Sequence, residues 1–290
     1  MWEQIYEQIE HATGRRFRPT SRQPVAGGAL NRAERLSAEG RDFFLKYRTA
    51  ESAGAFAAEV AALREIIASA AVRVPEPLCW GRTDEGVAFL VLEYLVLHPG
   101  EAAAEQLGWQ LANLHRPRQP YFGWPISNTI GNTPQSNTPN GDWVQFWLRE
   151  RLRAQAALVA PRHGPLRAAL NQLEACLPEF FVSYRPQPSL LHGDLWSGNY
   201  AADRSGQPVV FDPASYYGDR EADLAMTELF GGFPPRFYAA YRDAFPLDPG
   251  YETRRYLYNL YHILNHLHLF GDGYLPQAER LTGRLLRTLG

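Results

Sequence analysis

The chain has 290 residues, of which 45% are hydrophobic and 21% charged, an ordinary globular composition that allows one large or two modest domains. Its 29 basic and 31 acidic residues give a net charge of −2, so no overall field favours nucleic acid or an anionic membrane as a partner. The most apolar stretch, Val87 to Leu97, contains Glu93 and is too short to span a bilayer. The first residues lack the basic flank and apolar core of a signal peptide. We therefore expect a cytoplasmic protein.

The N-terminal third of the chain predicts two helices and a group of short strands. Trp2, Ile5, Tyr6 and Ile9 recur at helical spacing, which predicts a helix at 2–12 that ends near Gly14. The other predicted elements are strands at 32–36 and 41–47 joined by a turn at 37–40, a helix at 53–70 capped by Ser52 with Phe56, Val60, Leu63 and Ile67 on one face, and strands at 78–82 and 88–94.

The pattern becomes mainly helical after His98-Pro99-Gly100. Candidate helices are 101–115, 142–159, 164–177, 220–230, 234–244, 251–269 and 276–289. Residues 116–141 are rich in Pro, Gly, Asn and Thr and predict a long loop that could border the substrate site. The whole predicts an α+β, two-lobed fold, with a β-rich N-terminal lobe at 1–95, a larger helical lobe at 96–290 and a ligand site in the cleft between them.

One sequence motif indicates a catalytic function. Residues 192–199 read His-Gly-Asp-Leu-Trp-Ser-Gly-Asn, and a second acid, Asp212, follows an apolar, β-branched run. Kinase-type enzymes use an acid, an amide five residues later and a second acid to hold a nucleophile and two magnesium ions. Asp194 is therefore the candidate base, and Asn199 and Asp212 are the candidate Mg²⁺ ligands, because magnesium prefers oxygen donors. Each residue taken alone is better explained as a solvated turn residue, but their joint order favours phosphoryl transfer.

The nucleotide half of the predicted site lies in the N-terminal lobe. Lys46 ends an alternating strand and Glu59 lies inside the next helix, the arrangement in which a kinase lysine contacts nucleotide phosphates and a helix glutamate holds it. Each could otherwise be a surface charge. Gly27 and Gly28 before Asn31 allow close backbone approach to phosphates, although a hairpin turn explains these glycines almost as well.

Two further segments are candidates for supporting roles. Glu93-Tyr94-Leu95 ends the last strand of the small lobe, where the Glu93 carbonyl and the Leu95 amide could bind adenine; an ordinary strand end is the alternative. Asp223, at the start of a predicted helix, is expected to fix the backbone of the Asp194 loop, with a helix-start carboxylate as the other interpretation.

These residues resemble the fructosamine kinase (ketosamine 3-kinase) family. The resemblance rests on residues 192–199, 211–218 and 228–234, and extends over nearly the whole chain, from Gly27-Gly28 to Phe270-Gly271. It implies a protein-kinase-like fold related to aminoglycoside phosphotransferases, ATP with Mg²⁺, and phosphorylation of the 3-hydroxyl of ketosamines, either small molecules or glycated proteins. Such phosphorylation makes the sugar adduct labile and thereby repairs glycation.

The substrate contacts and the function retain alternatives. Trp196 could stack against a sugar ring or pack in the core, and His266 could face the substrate or be a hydrogen-bonded core histidine. Two functions compete with a ketosamine kinase: a phosphotransferase for an aminoglycoside- or choline-like metabolite, and a catalytically idle kinase-fold protein. Retention of Lys46, Asp194 and the metal-ligand candidates argues against the idle protein.

Overall fold

The structure, a computed structural model, describes residues 1–25, 32–49, 53–159 and 161–289. The chain divides into a first unit made of Met1–Ala103 and Tyr200–Pro213 and a second unit made of Ala104–Asn199 and Ala214–Gly290. Strands dominate the first unit and helices the second, so the expected α+β class is confirmed. None of the helices in the described part of the chain combines the length and the apolar character needed to cross a membrane.

The first unit contains most of the strands. Its elements up to Glu93 are α1 (Trp2–Thr13), β1 (Ser21–Pro24), β2 (Arg32–Ala38), β3 (Arg41–Thr49), α2 (Ala53–Ser69), β4 (Pro77–Arg82) and β5 (Val87–Glu93). The following elements are α3 (Ala104–His115), β6 (Asn128–Ile130), β7 (Thr133–Gln135), α4 (Trp143–Phe146), α5 (Ala154–Val159), α6 (Gly164–Cys176), β8 (Ser189–Leu190), β9 (Tyr200–Ala202), β10 (Pro208–Val210), β11 (Tyr217–Gly218), α7 (Glu221–Leu229), α8 (Pro235–Ala244), α9 (Tyr251–Phe270) and α10 (Leu275–Leu289). Of these later elements, only β9 and β10 belong to the first unit.

An antiparallel five-stranded sheet forms the centre of the first unit, in the order β1-β2-β3-β5-β4. Helix α1 covers one face of it, because its apolar residues recur every three to four positions and Gly14 ends it in a left-handed conformation. The buried cluster under this helix contains Ile5, Tyr6, Ile9, Phe17, Leu36, Leu45, Phe89 and Val91. Burial of apolar side chains on both sides is what fixes this helix to the sheet.

Two predictions in this unit were wrong in detail. The β2–β3 turn contains only Glu39 and Gly40, both with positive φ, rather than the four residues 37–40, because a two-residue turn of that geometry matches the twist of paired strands. In α2, Ile67 is 40% exposed, whereas Ile66 is fully buried. The helix packs on β4 and β5, and in its last turn the packed side is the one that carries Ile66.

The second unit is built from packed helices, with α3 against α8 and α7 against α9. Gly108 marks the crossing of α3 and α8, since a Cβ atom there would overlap the Phe237 carbonyl. The predicted helix at 142–159 is interrupted by a π-helical segment, Trp147–Arg153, and the one at 101–115 begins with a 3-10 turn, Gly100–Ala103.

The predicted loop at 116–141 is not irregular throughout. It contains the hairpin of β6 and β7, which are only three residues each and therefore too short to show an alternating pattern. The side-chain amide of Asn128 donates to the Ser215 carbonyl at 2.9 Å, and the side-chain amide of Gln135 donates to the Ala214 carbonyl at 3.2 Å. The hairpin is thus tied to the segment that runs beside the His192–Asn199 loop.

Candidate active site

The loop His192–Asn199 leaves strand β8, which pairs with β11. Two further backbone hydrogen bonds continue this pairing: the Leu191 amide donates to Tyr216 at 3.0 Å, and the Ala214 amide donates to His192 at 2.9 Å. The beginning of the loop is therefore held against residues 214–218 by main-chain bonds, which do not depend on side-chain identity.

Gly193 is the one position in this loop where the backbone φ angle requires a glycine. Its φ is +83°, a region that other residues rarely adopt, and a Cβ atom would overlap the Ala214 carbonyl. The close approach of the two chain segments explains why the sequence places glycine directly before Asp194.

Asp223 at the start of α7 anchors the same backbone. Its carboxylate accepts hydrogen bonds from the His192 amide at 2.7 Å and the Gly193 amide at 2.8 Å, and it lies 3.1 Å from Nε2 of His115. Burial tends to raise the pKa of Asp223, but the hydrogen bond from His115, the nearby histidines and the Gly193 amide outweigh it and lower the pKa. The expected role of Asp223 is confirmed by these contacts, whereas His115 carries no sequence signal and was missed.

Asn199 and Asp194 lie together at the end of the loop. A 3-10 turn, Ser197–Asn199, brings the Asn199 side chain back, so that its Nδ2 donates to the Asp194 carbonyl at 2.9 Å and to the Asp194 carboxylate at 3.3 Å. The Asp194 amide in turn donates to Nδ1 of the buried His192 at 3.3 Å. Asp194 is partly exposed, and Asn199 is buried. Both donations use the Asn199 nitrogen, which makes its carbonyl oxygen the atom suited to a metal.

In the first unit, the structure brings Lys46, Glu59 and Asp212 together. The Lys46 ammonium lies 2.7 Å from the Glu59 carboxylate and also contacts the Asp212 carboxylate. Burial lowers the pKa of Lys46, but the charges of Asp212 and Glu59 outweigh it, so the pKa is raised and the lysine stays protonated. Asp212 follows β10 with a φ of +58°, which turns the chain sharply after the strand.

The Glu93-Tyr94-Leu95 segment follows directly from β5. The Glu93 side chain accepts from Arg73 at 2.8 Å, and the Tyr94 ring lies 4.7 Å from the Arg35 guanidinium. A cavity of about 310 Å³ in the first unit is lined by Tyr94 and Leu95, together with Asp42, Arg73, Val96, Asp203, Arg204 and Ser205. The remaining nucleotide candidates, Gly27, Gly28 and Asn31, lie outside the described residues.

Trp196 and His266 lie on different elements of the second unit. The Trp196 indole covers Gly198, where a Cβ atom would overlap the ring, and is 40% exposed. The His266 ring donates from Nδ1 to the His262 carbonyl at 2.8 Å. Its ring packs 5.1 to 5.3 Å from the rings of Phe230, Phe270 and Tyr274.

We call Phe230, His266, Phe270 and Tyr274 the aromatic group. Phe230 and Phe270 both pack on the His266 ring, yet they are 42% and 56% exposed, which is a large exposure for apolar side chains. Two residues after Phe230, Gly232 lies against Ser197, where a Cβ atom would overlap the serine side chain. The turn that carries Phe230 thus contacts the loop that carries Asp194. The sequence gives no signal that Phe230, Phe270 and Tyr274 belong to the site, since phenylalanine and tyrosine normally indicate core.

The donor set of the candidate metal ligands fits magnesium. Among the described residues, no group of three or more His, Cys, Asp and Glu side chains forms a metal cluster. Asn199 and Asp212 both offer oxygen, and Mg²⁺ typically takes one or two protein oxygens together with phosphate and water.

A small antiparallel sheet with a buried lysine–glutamate pair, followed by a helical unit with an anchored His-Gly-Asp loop, defines a phosphotransferase of the protein-kinase-like class. The chain belongs to the fructosamine kinase family, whose family model matches residues 1–288. The resemblance seen in the sequence is thereby confirmed.

Relatives of this family cover almost the entire chain. A probable ketoamine kinase of Synechocystis sp. is 42% identical over 99% of this chain and 97% of its own length. The chloroplastic protein-ribulosamine 3-kinase of Arabidopsis thaliana is 37% identical over 91% of this chain and 82% of its own length.

Solved structures give the same result for the fold. A Haemophilus somnus protein whose proposed identity is fructosamine-3-kinase superposes with a TM-score of 0.90 and 25% identity, covering 99% of this chain and 98% of that one. An aminoglycoside phosphotransferase in complex with ADP and hygromycin B reaches a TM-score of 0.65 at 18% identity, covering 97% and 96%, and this likeness shows the fold alone. The predicted protein-kinase-like fold is confirmed.

Proposed function

We propose that this chain is an ATP-dependent kinase that phosphorylates the 3-hydroxyl of ketosamines, namely fructosamine or ribulosamine adducts on small amines or proteins. The proposal of phosphoryl transfer rests on the geometry of the Asp194 loop. Asn199 donates a hydrogen bond to the Asp194 carboxylate, and the Asp223 carboxylate accepts hydrogen bonds from the two backbone amides that precede Asp194. Family membership and the relatives' names support the ketosamine class.

In this proposal Asp194 accepts the proton of the 3-hydroxyl as its oxygen attacks the γ-phosphorus of ATP. One P–O bond forms, the bond to the β-phosphate oxygen breaks and ADP leaves. Asn199 and Asp212 would hold Mg²⁺, which supplies charge neutralisation on the phosphate oxygens when bound. The partly exposed position of Asp194 lets it pass the proton on to water.

The nucleotide contacts are assigned to the predicted N-terminal lobe, residues 1–95. Lys46 binds the phosphates and Glu59 keeps it extended, because the buried Lys46 ammonium lies 2.7 Å from the largely buried Glu59 carboxylate. Residues 93–95 bind adenine through the Glu93 carbonyl and the Leu95 amide, with Tyr94 between them. Gly27, Gly28 and Asn31 cover the phosphates. The lobe at 96–290 then supplies catalysis and substrate binding.

The aromatic group and Trp196 are assigned to the substrate. Aromatic faces stack against the C–H side of a sugar, and they attract an ammonium such as the amine of a ketosamine. The contact of Gly232 with Ser197 supports this assignment, since it joins the turn of Phe230 to the Asp194 loop. We also propose a cytoplasmic location, where glycated proteins are accessible to the enzyme.

The position of the new phosphate tests the function. Purified protein is incubated with ATP, Mg²⁺ and either fructosyl-lysine or ribulosyl-lysine, and phosphorus NMR with proton coupling locates the ester. A phosphate on O3 is expected, because only one hydroxyl can lie in line with the γ-phosphate and within reach of Asp194. Phosphate on another carbon, or activity on aminoglycosides or choline with none on either ketosamine, would contradict the proposal.

A further inference from the structure

A second cavity, of about 160 Å³, lies in the second unit between the end of α3, residues 184–189 and the segment before α7. We call it the arginine pocket. Among the described residues that line it are four arginines and a single carboxylate: Arg116, Arg118, Arg185, Arg220 and Asp219. Asp194, Asn199 and the aromatic group do not line it, so it is a different site from the one assigned to catalysis.

Arg220 supplies a buried positive charge to this pocket. It is 9% exposed, and its guanidinium donates to the Tyr241 hydroxyl at 3.2 Å, to the Phe245 carbonyl at 2.9 Å and to the Pro246 carbonyl. It also stacks 3.6 Å from the Phe245 ring. These acceptors fix the guanidinium in place, but none of them carries a formal charge. The positive charge of Arg220 is therefore held rigidly without being neutralised by these partners.

Asp219 does not offset the arginines fully. Its carboxylate accepts from the Tyr184 hydroxyl at 3.0 Å, from the Glu221 amide at 3.1 Å and from the Tyr258 hydroxyl, so its oxygens are directed to those three groups. Asp219 is fully buried, and burial raises the pKa of its carboxyl group. The three hydrogen bonds favour the charged carboxylate, so Asp219 supplies at most one negative charge against the four arginines of the pocket.

The rim of the pocket is made of exposed arginines that the backbone brings together. Arg118 forms an isolated antiparallel bridge with Ser189, and the Gln119 amide donates to Pro188 at 2.8 Å. This pairing places Arg118 beside the segment that carries Arg185. Arg116 is fixed separately, donating to the Ala244 carbonyl at 2.6 Å. Guanidinium groups gathered around one small cavity repel one another, and an anion between them relieves that repulsion.

We propose that the arginine pocket binds a small phosphate-bearing anion, either inorganic phosphate or a phosphate monoester. Arginine forks match the oxygens of a tetrahedral oxyanion and donate two parallel hydrogen bonds to it. The exposed side chains of Arg118 and Arg185 bind the anion at the rim of the pocket, and the buried, fixed charge of Arg220 attracts it from inside. His115 lines the pocket and bonds to Asp223, so a bound anion lies one side chain away from the residue that anchors the Asp194 loop.

The test uses the full chain saturated with Mg²⁺ and AMP-PNP, a non-hydrolysable ATP analogue, so that the nucleotide site is filled up to and including the γ-phosphate position. Inorganic phosphate and, separately, methyl phosphate are titrated at constant ionic strength, and the melting temperature and calorimetric binding are measured. The wild type should be stabilised to saturation by at least one probe, because an anion that binds only the folded state raises its stability. The double variant Arg118→Gln, Arg185→Gln should bind that probe at least ten times more weakly.

The matched control is Arg280→Gln, an exposed arginine on α10 that does not line the pocket. It should bind like the wild type. Response to inorganic phosphate identifies the free ion as ligand, and response to methyl phosphate alone identifies a monoester. Equal binding by the wild type and the double variant, or no binding of either probe, would overturn the proposal. Diffraction from crystals soaked in selenate gives an independent measure, with an anomalous peak expected between Arg118 and Arg185.

Discussion

Glu59 holds Lys46 by an ion pair in which the two charged groups lie 2.7 Å apart and both side chains are largely buried. Because a lysine has many rotamers, the glutamate restricts the ammonium to the position where it also meets Asp212. This relationship makes the lysine a fixed charge rather than a mobile one.

Replacing Glu59 by Gln should therefore weaken nucleotide binding. A hydrogen bond to a charged group contributes about 1.5–3 kcal/mol, so we expect the KM for ATP to rise about tenfold or more. Steady-state kinetics with varied ATP measure this. Glu7→Gln, at an exposed position of α1, is the control and should leave the KM unchanged. An unchanged KM in Glu59→Gln would show that the pair does not position Lys46 for ATP.

Asp194→Asn should abolish most turnover while nucleotide affinity stays nearly intact. The amide keeps the shape of the side chain but cannot accept the hydroxyl proton, and general-base catalysis contributes about a hundred- to ten-thousand-fold. Turnover and ATP binding are measured in parallel, with the exposed Asp243→Asn as control. Near-normal turnover would remove Asp194 from the role of base.

Asp212→Ala deletes a proposed metal ligand and should reduce the gain in nucleotide affinity that magnesium provides. Asp212 also contacts Lys46, so nucleotide is titrated both with Mg²⁺ and with EDTA, and the ratio of the two affinities is compared. A loss that is the same in both conditions would reflect only the lysine contact. An unchanged ratio would mean that the ligand assignment is incorrect.

Gly193→Ala should destabilise the protein and slow turnover. The φ of +83° strains any other residue, which costs about 1–3 kcal/mol, and the new methyl group would overlap the Ala214 carbonyl. Urea unfolding measures the loss. Gly141→Ala is the matched control, because a Cβ atom there meets nothing within 4 Å. Equal stability of the two variants would contradict the requirement for glycine at 193.

His262 should make stability depend on pH. Burial, together with the charge of His266, lowers its pKa to about 3 from an ordinary value of 6.5. Between these two values the unfolded chain binds more protons than the folded one, so the free energy of unfolding falls as pH falls from about 6.5 towards 3. The effect is at most about 1.4 kcal/mol per pH unit.

Comparison of variants isolates this contribution from that of other groups. His262→Gln should flatten the pH dependence of urea unfolding between pH 6.5 and 4, while His11→Gln, exposed on α1, should leave it unchanged. Parallel curves for His262→Gln and the wild type would show that His262 titrates normally.

Local signals in the sequence predict much of the fold. The spacing of Trp2, Ile5, Tyr6 and Ile9 and the left-handed cap at Gly14 are properties of adjacent residues, and the structure has the helix they predict. The interruption of the 142–159 helix by a π-helical segment has no such local signal. Its buried Arg151 stacks 4.1 Å from Tyr216, a partner 65 positions away in the sequence. Tertiary contacts of that kind decide the local conformation there.

The same distinction applies to the candidate site. The order of Asp194, Asn199 and Asp212 predicts the chemistry, because the residue types and spacing are local. The anchoring of His192 by Asp223 follows from a carboxylate at a helix start, which the sequence also shows. The contacts of His115 with Asp223 and of Phe230 with His266 join residues 108 and 36 positions apart, and a single sequence does not show which distant residues pair.

The first unit consists of two stretches of chain, Met1–Ala103 and Tyr200–Pro213, separated by 96 residues that belong to the second unit. The later stretch supplies the partner of Arg73 in Asp203 and a partner of Lys46 in Asp212. A ribosome adds roughly 5–20 residues per second, so the N-terminal sheet waits on the order of 5–20 s for these partners. During that interval Lys46 has Glu59 as a partner but lacks Asp212, and Arg73 lacks Asp203. During synthesis there is therefore a period in which this incomplete sheet is vulnerable to aggregation. Binding of a chaperone to the nascent chain would protect the sheet most in that period.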